Sequence, residues 1–278
     1  MGMELEIKHR NKIGDFAYTL RGIVTITRQE YLTASGKGPY ANSYDKWRND
    51  NLTNRYQGVQ FGYESNGRYT SWEDIWNETL YHERDVLPGD YKYVDWNGDG
   101  EINSLDEHPY AYDQTPWLNY SLNGEFQWKG FDFSILFQGS ALGSMAYKEP
   151  LYSIWGKNGG GALKQYLDRW HPSDADADPY DPATSWIQGY YAYTGHSPYE
   201  NSSFNRVSTA YLRLKSVEIG YTIPKLPNSS VGLRIYANAY NMLTFTGVKF
   251  VDPEHPDDEL GRLYPLSKTV TLGMSFSF

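Results

Sequence analysis

The sequence has 278 residues, no Cys, a net charge of −9 and 17% aromatic residues, led by 26 Tyr and 9 Trp. The lack of Cys excludes disulfides and thiolate chemistry, and the acidic balance argues against a nucleic-acid binder. A mean hydropathy of −0.67, without an 18-residue apolar run, excludes transmembrane helices. The low hydropathy does not exclude membrane-spanning β-strands, because these are apolar only at alternate positions.

Alternating apolar and polar residues predict seven β-strands along the chain. The first begins near the N-terminus, where residues 1–10 lack the apolar stretch of a signal peptide. The last shows the alternation most clearly, with Val270, Leu272 and Met274 on one side and Thr271 on the other. The predicted strands are 3–9, 16–27, 117–128, 131–141, 208–223, 231–243 and 268–278.

These strands are longer than those of most globular sheets, and one of them changes phase near Lys215 and Ser216, which predicts a β-bulge. The connections run short, long, short, long, short, medium. In an up-and-down meander the longer ones therefore share one end of the sheet, and these are 28–116, 142–207 and 244–267. This asymmetry is typical of outer-membrane barrels and favours that fold over a large soluble β-sandwich or lectin.

Seven strands cannot close such a barrel, because single-chain bacterial barrels generally have an even number of strands, about eight or more. An open sheet edge in lipid would leave its backbone groups unpaired. The sequence therefore predicts an all-β fold, an antiparallel up-and-down portion of a transmembrane β-barrel. Residues 1–278 would form the C-terminal part of a larger protein with long outer loops.

Residues 95–106, in the first long loop, have the spacing of a calcium-binding loop. Oxygen ligands fall at positions 1, 3, 5 and 9, glycine at position 6 permits a sharp turn, and position 7 offers its carbonyl. Position 12 is Asp, which is shorter than the usual Glu. The predicted metal ligands are Asp95, Asn97, Asp99, Glu101, Asn103 and Asp106. A solvated acidic turn is the alternative interpretation.

A calcium ion at this loop would stabilise the first long connection, residues 28–116, and would therefore have a structural role. A helix is predicted before the loop, over 71–81, where Ser71 and Asp74 form a capping-box pattern. Pro109 and Pro116 argue against a helix after it. We therefore expect a calcium loop without a full helix–loop–helix.

The long loops are rich in aromatic residues, which can stack on sugar rings, contact proteins or pack as cores of the loops themselves. These residues include Trp47, Trp72, Trp76, Trp96, Trp155, Trp170 and Trp186. We expect packing for most of the loop aromatic residues, whereas the sequence does not identify the few that would contact a ligand. Motifs for a serine nucleophile, a phosphate loop or a zinc protease are absent from the sequence. Acidic pairs such as Asp252 and Glu254 could suggest glycosidase carboxylates, but 34 acidic residues produce such pairs by chance. The chain is predicted not to be an enzyme.

Several stretches, taken together and in this order, resemble one family. They are 2–7, 12–16, 88–100, 205–221, 241–246, 251–254, 264–269 and the terminal Phe278. The chain resembles the C-terminal region of the SusC-like (RagA-type) TonB-dependent outer-membrane transporters of Bacteroidetes. The terminal aromatic strand also resembles the signal that barrel-assembly machinery recognises.

The resemblance implies a 22-stranded barrel with an N-terminal plug, located in the outer membrane of a Gram-negative cell. We expect this chain to supply about seven strands, without the plug, the TonB-contacting segment or a signal peptide. The implied partners are a SusD-like surface lipoprotein, the TonB–ExbB–ExbD system, outer-membrane lipid and an oligosaccharide or peptide substrate, with no nucleic acid.

The sequence thus predicts the barrel part of an active importer of glycans or peptides, energised through TonB. The alternative is a soluble, calcium-stabilised carbohydrate-binding β module, which would use the same acidic loop and the same aromatic residues. The terminal aromatic strand argues against it, because a soluble module would cover or shorten such a strand. A glycosidase is the third and least favoured hypothesis.

Overall fold

The computed structural model describes residues 1–33, 38–48, 52–78, 80, 86–148, 151, 162–193, 201–255 and 261–278. Its largest element is one antiparallel sheet in which each of seven long strands pairs with its neighbours in sequence. The strands are β1 (Gly2–Ile13), β2 (Phe16–Thr27), β3 (Leu118–Trp128), β4 (Phe131–Ala141), β5 (Tyr211–Ile223), β6 (Gly232–Thr246) and β7 (Thr269–Ser277). The predicted all-β antiparallel fold with seven long strands is confirmed.

Three strand ends differ from the predicted ones by three or more residues, and the others agree to within one residue. β1 continues past residue 9, because its alternating charged residues stay paired with β2 as far as Ile13. β6 continues past residue 243 to Thr246, still paired with β5. β5 begins at Tyr211 instead of residue 208, because Arg206–Ser208 forms a separate short strand paired with Ser144–Ala146.

The predicted bulge in β5 is confirmed. The register between β5 and β6 shifts between Leu214 and Ser216, and the register between β4 and β5 shifts at the same level. In the pairing with β6 the additional residue is on β6, because residues 241 and 242 lie opposite one residue of β5. In the pairing with β4, Lys215 is the additional residue. Because it reverses the alternation of β5, Leu214 and Val217 lie on the same face of the sheet.

The register gives the sheet two contrasting faces. One is apolar across its width, as in the row formed by Phe126, Phe133, Ile219, Ala237 and Leu272 on five successive strands. The opposite face is polar and charged, with side chains that include Glu6, Arg21, Asn123, Asp132, Glu218 and Arg234. The alternation of the sequence therefore separates two surfaces.

Glycine is required at two places in the sheet, one in a tight turn and one at a close contact. In the turn between β3 and β4, Lys129 and Gly130 both have positive φ, 45° and 87°, as a two-residue hairpin turn requires. In β4, a Cβ on Gly139 would lie 2.4 Å from the ring of Tyr120 and 2.4 Å from the Tyr211 carbonyl oxygen. The Tyr120 hydroxyl donates a hydrogen bond to that carbonyl at 2.8 Å.

Because the strands follow one another in sequence across the sheet, alternate connections lie at the same end. The connections at one end are short: 14–15, 129–130 and 224–231. The connections at the other end are long: 28–117, 142–210 and 247–268. We call the first end the turn end and the second the loop end.

The long connections contain short elements of their own. The helices are α1 (Ser43–Arg48), α2 (Trp72–Trp76) and the 3-10 turns Ser104–Asp106 and Lys164–Leu167. The paired short strands are Glu30–Tyr31 with Arg55–Tyr56, Gln60–Gly62 with His108–Ala111, Ser65–Arg68 with Tyr91–Tyr93, Ser144–Ala146 with Arg206–Ser208, and His171–Pro172 with Trp186–Ile187. In the described part of the chain, no helix is long and apolar enough to cross a membrane.

The predicted helix over 71–81 starts as expected and ends early. The Ser71 hydroxyl caps α2 by accepting a hydrogen bond from the Asp74 N–H at 3.2 Å. The helix stops at Trp76, where the N–H of Asn77 bonds back to the Glu73 carbonyl at 3.0 Å. Residues 79 and 81 lie outside the described residues.

The buried hydrophobic core lies in the long connections and not in the sheet. Its larger cluster consists of Tyr63, Tyr91, Tyr93, Ile102 and Ala192. A smaller cluster pairs Tyr166 with Tyr191. Among the described residues, Tyr211 is the only buried apolar residue that belongs to the seven strands.

Candidate functional site

The predicted calcium loop, residues 95–106, is a compact turn held by its own side chains. The Asp95 carboxylate accepts hydrogen bonds from the N–H groups of Gly98 and Gly100 at 2.7 and 2.8 Å. Asn97 accepts from the Asp99 N–H at 2.9 Å, and its amide donates to the Asp99 carboxylate at 2.7 Å. Both glycines have positive φ, so the loop turns where its sequence permits.

Asp106 closes this loop from the inside. It is fully buried, and its carboxylate accepts hydrogen bonds from the N–H groups of Trp96 at 2.9 Å and Asn103 at 2.8 Å. The Asn103 side chain accepts from the Leu105 N–H at 2.8 Å, which completes a capping box at the turn Ser104–Asp106. The aspartate at position 12 therefore caps the turn as well as ending the loop.

The first and last carboxyl groups of the loop, Asp95 and Asp106, lie against each other. Burial raises the pKa of the Asp106 carboxyl, and the nearby charge of Asp95 raises it further. Burial also works against ionisation of Asp95, but the N–H groups of Gly100 and Gly98 outweigh it and lower the pKa of that carboxyl. A cation between the two groups would favour the charged form of both.

The loop brings the predicted ligands together only in part. Asp95 meets Asp106, whereas one Asp99 oxygen accepts a hydrogen bond from the Glu101 N–H at 2.9 Å. The Glu101 side chain is exposed, and Asn103 is engaged as a cap. Within the described ranges, no group of three or more His, Asp and Glu side chains could hold a metal ion. The metal role of these residues stays a prediction.

Helix α1 and an aromatic cluster cover the acidic loop. The Tyr44 hydroxyl donates a hydrogen bond to the Leu105 carbonyl at 3.3 Å. The His108 ring stacks on Trp47, with centroids 5.8 Å apart, and contacts Trp96 at 4.2 Å. Each indole is 39% exposed. The acidic loop therefore fixes two half-exposed indoles at the loop end of the molecule.

The other loop tryptophans have varied surroundings. Trp170 is buried, and a Cβ on Gly89 would lie 2.3 Å from its ring, so the first and second long connections pack closely there. Trp72 and Trp186 are half-buried, whereas Trp76 is exposed. Trp155 lies outside the described residues.

A buried ion cluster, which the sequence analysis missed, joins the third long connection to β5. Arg213 is 1% exposed and donates to both Asp252 carboxylate oxygens at 2.7 Å, and it also pairs with Glu254. Glu254 accepts a hydrogen bond from the Tyr211 hydroxyl at 3.0 Å and lies 3.5 Å from the Lys215 ammonium. The two acids considered as glycosidase carboxylates are thus engaged in a structural cluster.

Hydrogen bonds connect the three long connections to one another. The Tyr63 N–H donates to the Asn201 carbonyl at 2.8 Å, and the Ser203 N–H donates to the Tyr63 carbonyl at 2.9 Å. The Tyr147 hydroxyl accepts from the Lys249 N–H at 2.8 Å and donates to its carbonyl at 2.9 Å. The described parts of the connections therefore form one packed unit, which we call the loop body.

The polar face of the sheet carries ion pairs between strands. Arg234 of β6 pairs with Asp132 of β4 and with Glu218 of β5, and its Nη2 lies 2.6 Å from the Glu218 carboxylate. At the other side of the sheet, Arg21 binds both oxygens of Glu6 at 2.8 and 2.9 Å. Because these ion pairs are partly exposed, they contribute little to the free energy of folding. Their main effect is to make this face of the sheet polar.

No protein-family model matches the chain. It is similar to TonB-dependent receptor P3 from Formosa agariphila, with 28% identity over 238 residues that cover 80% of this chain and 22% of that protein. It is also similar to TonB-dependent receptor SusC from Bacteroides thetaiotaomicron, with 25% identity over 285 residues that cover 100% of this chain and 26% of that protein. The chain thus spans about a quarter of the length of these relatives.

Solved structures share the fold. The RagAB peptide transporter superimposes with a TM-score of 0.69 at 19% identity, over 100% of this chain and 29% of the other. The RagAB peptide importer in its open-open state gives a TM-score of 0.65 at 21% identity, over 100% and 28%. The sheet therefore has the fold of a portion of a β-barrel, as in these structures. The predicted resemblance to the SusC-like TonB-dependent receptors is confirmed.

Proposed function

We propose that this chain is the C-terminal barrel part of an outer-membrane active transporter. The transporter would import glycans or peptides together with a SusD-like surface lipoprotein and would be energised through TonB. The observation that carries this proposal is the apolar face of the seven-stranded sheet, which is exposed across its width.

Water is a poor solvent for this face. Leu272 is 81% exposed, and Leu5, Val24, Ile219 and Ile235 on other strands are also exposed. Soluble monomers rarely expose contiguous apolar patches of more than a few hundred Å². The hydrocarbon core of a membrane would cover the face, and the polar face would then line the inside of a barrel.

Aromatic residues mark both ends of the apolar face. Phe16, Trp128, Phe131 and Tyr221 lie in register on four adjacent strands at the turn end, with the rings of the last two 4.5 Å apart. Tyr120 lies on the same face of β3, about 27 Å from Trp128 along the strand. That distance is near the height of about 25 Å expected for an apolar band between aromatic girdles.

The loop body supports the proposed contacts with substrate and lipoprotein. It lies at one end of the sheet, is internally packed and presents exposed aromatic side chains such as Trp47, Trp96 and Tyr190. Such side chains suit both sugar and protein surfaces. The TonB–ExbB–ExbD system would act on regions outside this chain, which spans about a quarter of its relatives.

Membrane fractionation of the native gene product tests the proposal. We expect it in the outer membrane, resistant to carbonate extraction, and monodisperse only in detergent. Growth of a deletion strain on defined oligosaccharides and peptides would then identify the substrate class by the one nutrient that no longer supports growth. A cooperatively melting, soluble monomer in plain buffer would contradict the proposal and favour the soluble carbohydrate-binding module.

We also propose that calcium binds the loop at residues 95–106 and braces the first long connection. The support is the contact between the Asp95 and Asp106 carboxyl groups, which an ion would stabilise. Asn97, Asp99, Asn103 and the Glu101 carbonyl would supply the other oxygens. The ion would replace the hydrogen bonds that Asp99 now makes within the turn.

Terbium luminescence, sensitised by nearby indoles, measures this binding. We expect one site that Asp95→Ala and Asp99→Ala abolish. Asp174→Ala is the matched control, because Asp174 also accepts a backbone hydrogen bond in an acidic turn but lies in another connection. Equal luminescence in all three variants, or none in the folded parent, would contradict the calcium proposal.

A further inference from the structure

We propose that a cavity at the loop end of the sheet binds the phosphorylated headgroup of an outer-leaflet lipid. The inference rests on the proposed function, in which the loop end of the sheet would face the outside of the cell, where the surface lipoprotein lies. The cavity has a volume of about 460 Å³ and lies between the end of β4, the strand Arg206–Ser208 and residues 110–112. It is separate from the acidic loop and from the Arg213 cluster.

Most of the cavity lining is apolar or aromatic: Tyr110, Ala111, Tyr112, Ala141, Leu142 and Val207. Ala141 belongs to the apolar face of the sheet, because it pairs with Leu118 at the end of β3. The cavity therefore continues that face at its loop end. Lipid that covers the sheet would reach the cavity without crossing a polar surface.

One cation lines this cavity. The Arg206 guanidinium donates hydrogen bonds to the Tyr110 hydroxyl at 3.1 Å, the Ser144 hydroxyl at 3.1 Å and the side-chain amide oxygen of Gln60 at 3.0 Å. All three acceptors are neutral, and three of the five N–H donors of the guanidinium are used. Among the described carboxylates, none forms an ion pair with it.

The two buried or half-buried arginines within the seven strands differ in this respect. Arg213 pairs with Asp252 and Glu254, and Arg234 pairs with Asp132 and Glu218. A guanidinium that lies beside an apolar cavity without a carboxylate partner favours an anion. The exposed hydroxyl of Ser208, which accepts from the Ala210 N–H at 3.3 Å, remains able to donate a hydrogen bond there.

Among ligands that carry a phosphate, the position of the cavity favours a lipid over a free phosphate ion. The loop end would lie outside the cell, so the adjacent bilayer leaflet is the outer one. Basic pockets beside membrane-facing surfaces are suited to phosphorylated headgroups, whose chains cover the neighbouring apolar surface. A free phosphate would gain the contact with Arg206 but nothing from the apolar lining.

Native mass spectrometry of the membrane-embedded gene product, released from phosphatidylcholine nanodiscs doped with lipid A, tests the inference. We expect one retained lipid A per copy. Retention should fall about tenfold in Arg206→Gln, which removes the charge. It should fall as much in Ala210→Phe, because Ala210 also lines the cavity and the added ring would fill it. Lipid A without its phosphates should be retained about as weakly, and inorganic phosphate should not displace lipid A.

Two matched variants act as controls. Arg169→Gln removes an arginine whose Nη1 also bonds a neutral acceptor, the Tyr166 carbonyl, away from the cavity. Ala237→Phe adds the same bulk to the apolar face opposite Leu272. Both should retain lipid A like the parent. Equal retention in Arg206→Gln and Ala210→Phe, or displacement by inorganic phosphate, would overturn the inference and leave the proposed function intact. Failure of the parent to enter nanodiscs would overturn both.

Discussion

The seven-stranded sheet and the loop body bury their apolar residues in opposite ways. The loop body keeps Tyr63, Tyr91 and Ile102 inside a packed cluster. The sheet leaves Leu272 and Val270 exposed and contributes one buried apolar residue among those described. The loop body therefore has the interior of a water-soluble domain, whereas the sheet needs an apolar surrounding that the chain itself does not provide.

This difference means that the same kind of substitution should have different effects in the two regions. In the loop body, apolar side chains stabilise the fold by being buried against one another. In the sheet, they stabilise it through the medium outside the protein. The Arg213 cluster lies at the junction between the two regions, so it tests how strongly they are coupled.

The largest effect is expected at that junction. Arg213→Met would leave Asp252 and Glu254 charged and without their buried partner, at a cost of about 3–5 kcal/mol. Hydrogen exchange should show loss of protection at residues 247–255, with the sheet unchanged. Adding Asp252→Asn and Glu254→Gln should restore part of the protection. Unchanged exchange in the single variant would show that the cluster does not hold this connection.

Within the loop body, Ile102→Ala should lower the free energy of unfolding by about 2–5 kcal/mol, because it leaves a cavity among buried tyrosines. Denaturant unfolding followed by tryptophan fluorescence measures the change. Leu105→Ala is the control, since Leu105 is exposed and only three residues away, and it should have little effect. Equal effects of the two substitutions would contradict a packed loop core.

In the sheet, Leu272→Arg should destabilise the protein by about 2–4 kcal/mol in lipid vesicles, because it places a charge on the apolar face. Thr271→Arg, on the polar face of the same strand, should change stability little. Urea unfolding in vesicles measures both. If the two variants were equally stable, the assignment of one face to lipid would fail.

The smallest effect is expected at a glycine contact within the sheet. Gly139→Ala would push a Cβ into the Tyr120 ring and the Tyr211 carbonyl, which should cost about 1–3 kcal/mol. Gly22→Ala is the matched control, because nothing lies within 4 Å of its Cβ position. Thermal unfolding in detergent compares the two. A lower melting temperature for Gly22→Ala than for Gly139→Ala would contradict this packing.

The sheet could be predicted from the sequence because its pattern is local. Two-residue periodicity located all seven long strands, and the phase change near Lys215 located the bulge. Strand ends were less certain where the polar residues of a strand continue into a turn, as at the end of β1. Ser71 likewise predicted where α2 begins, since a cap acts within one helical turn.

The loop body could not be predicted in the same way. The Arg213 cluster joins residues about forty positions apart, and the Tyr63 contacts join residues more than a hundred apart. No local pattern encodes such pairs. The sequence around Asp252 and Glu254 therefore showed two nearby acidic residues but not that Arg213 is their partner. The acidic loop had the spacing of calcium ligands, but spacing alone does not determine where the Asp99 side chain points.

The hydrogen bonds of Tyr63 also limit how the three long connections of the loop body can change in evolution. A Cβ on Gly62 would lie 1.9 Å from the Asn201 carbonyl oxygen, so the first two long connections pass each other without spare room. Tyr147 and Lys249 tie the third to the second. Exchanging one connection for that of a relative would therefore leave the other two with mismatched neighbours. Recombination between relatives should succeed when all three are inherited together, with the sheet as a constant frame.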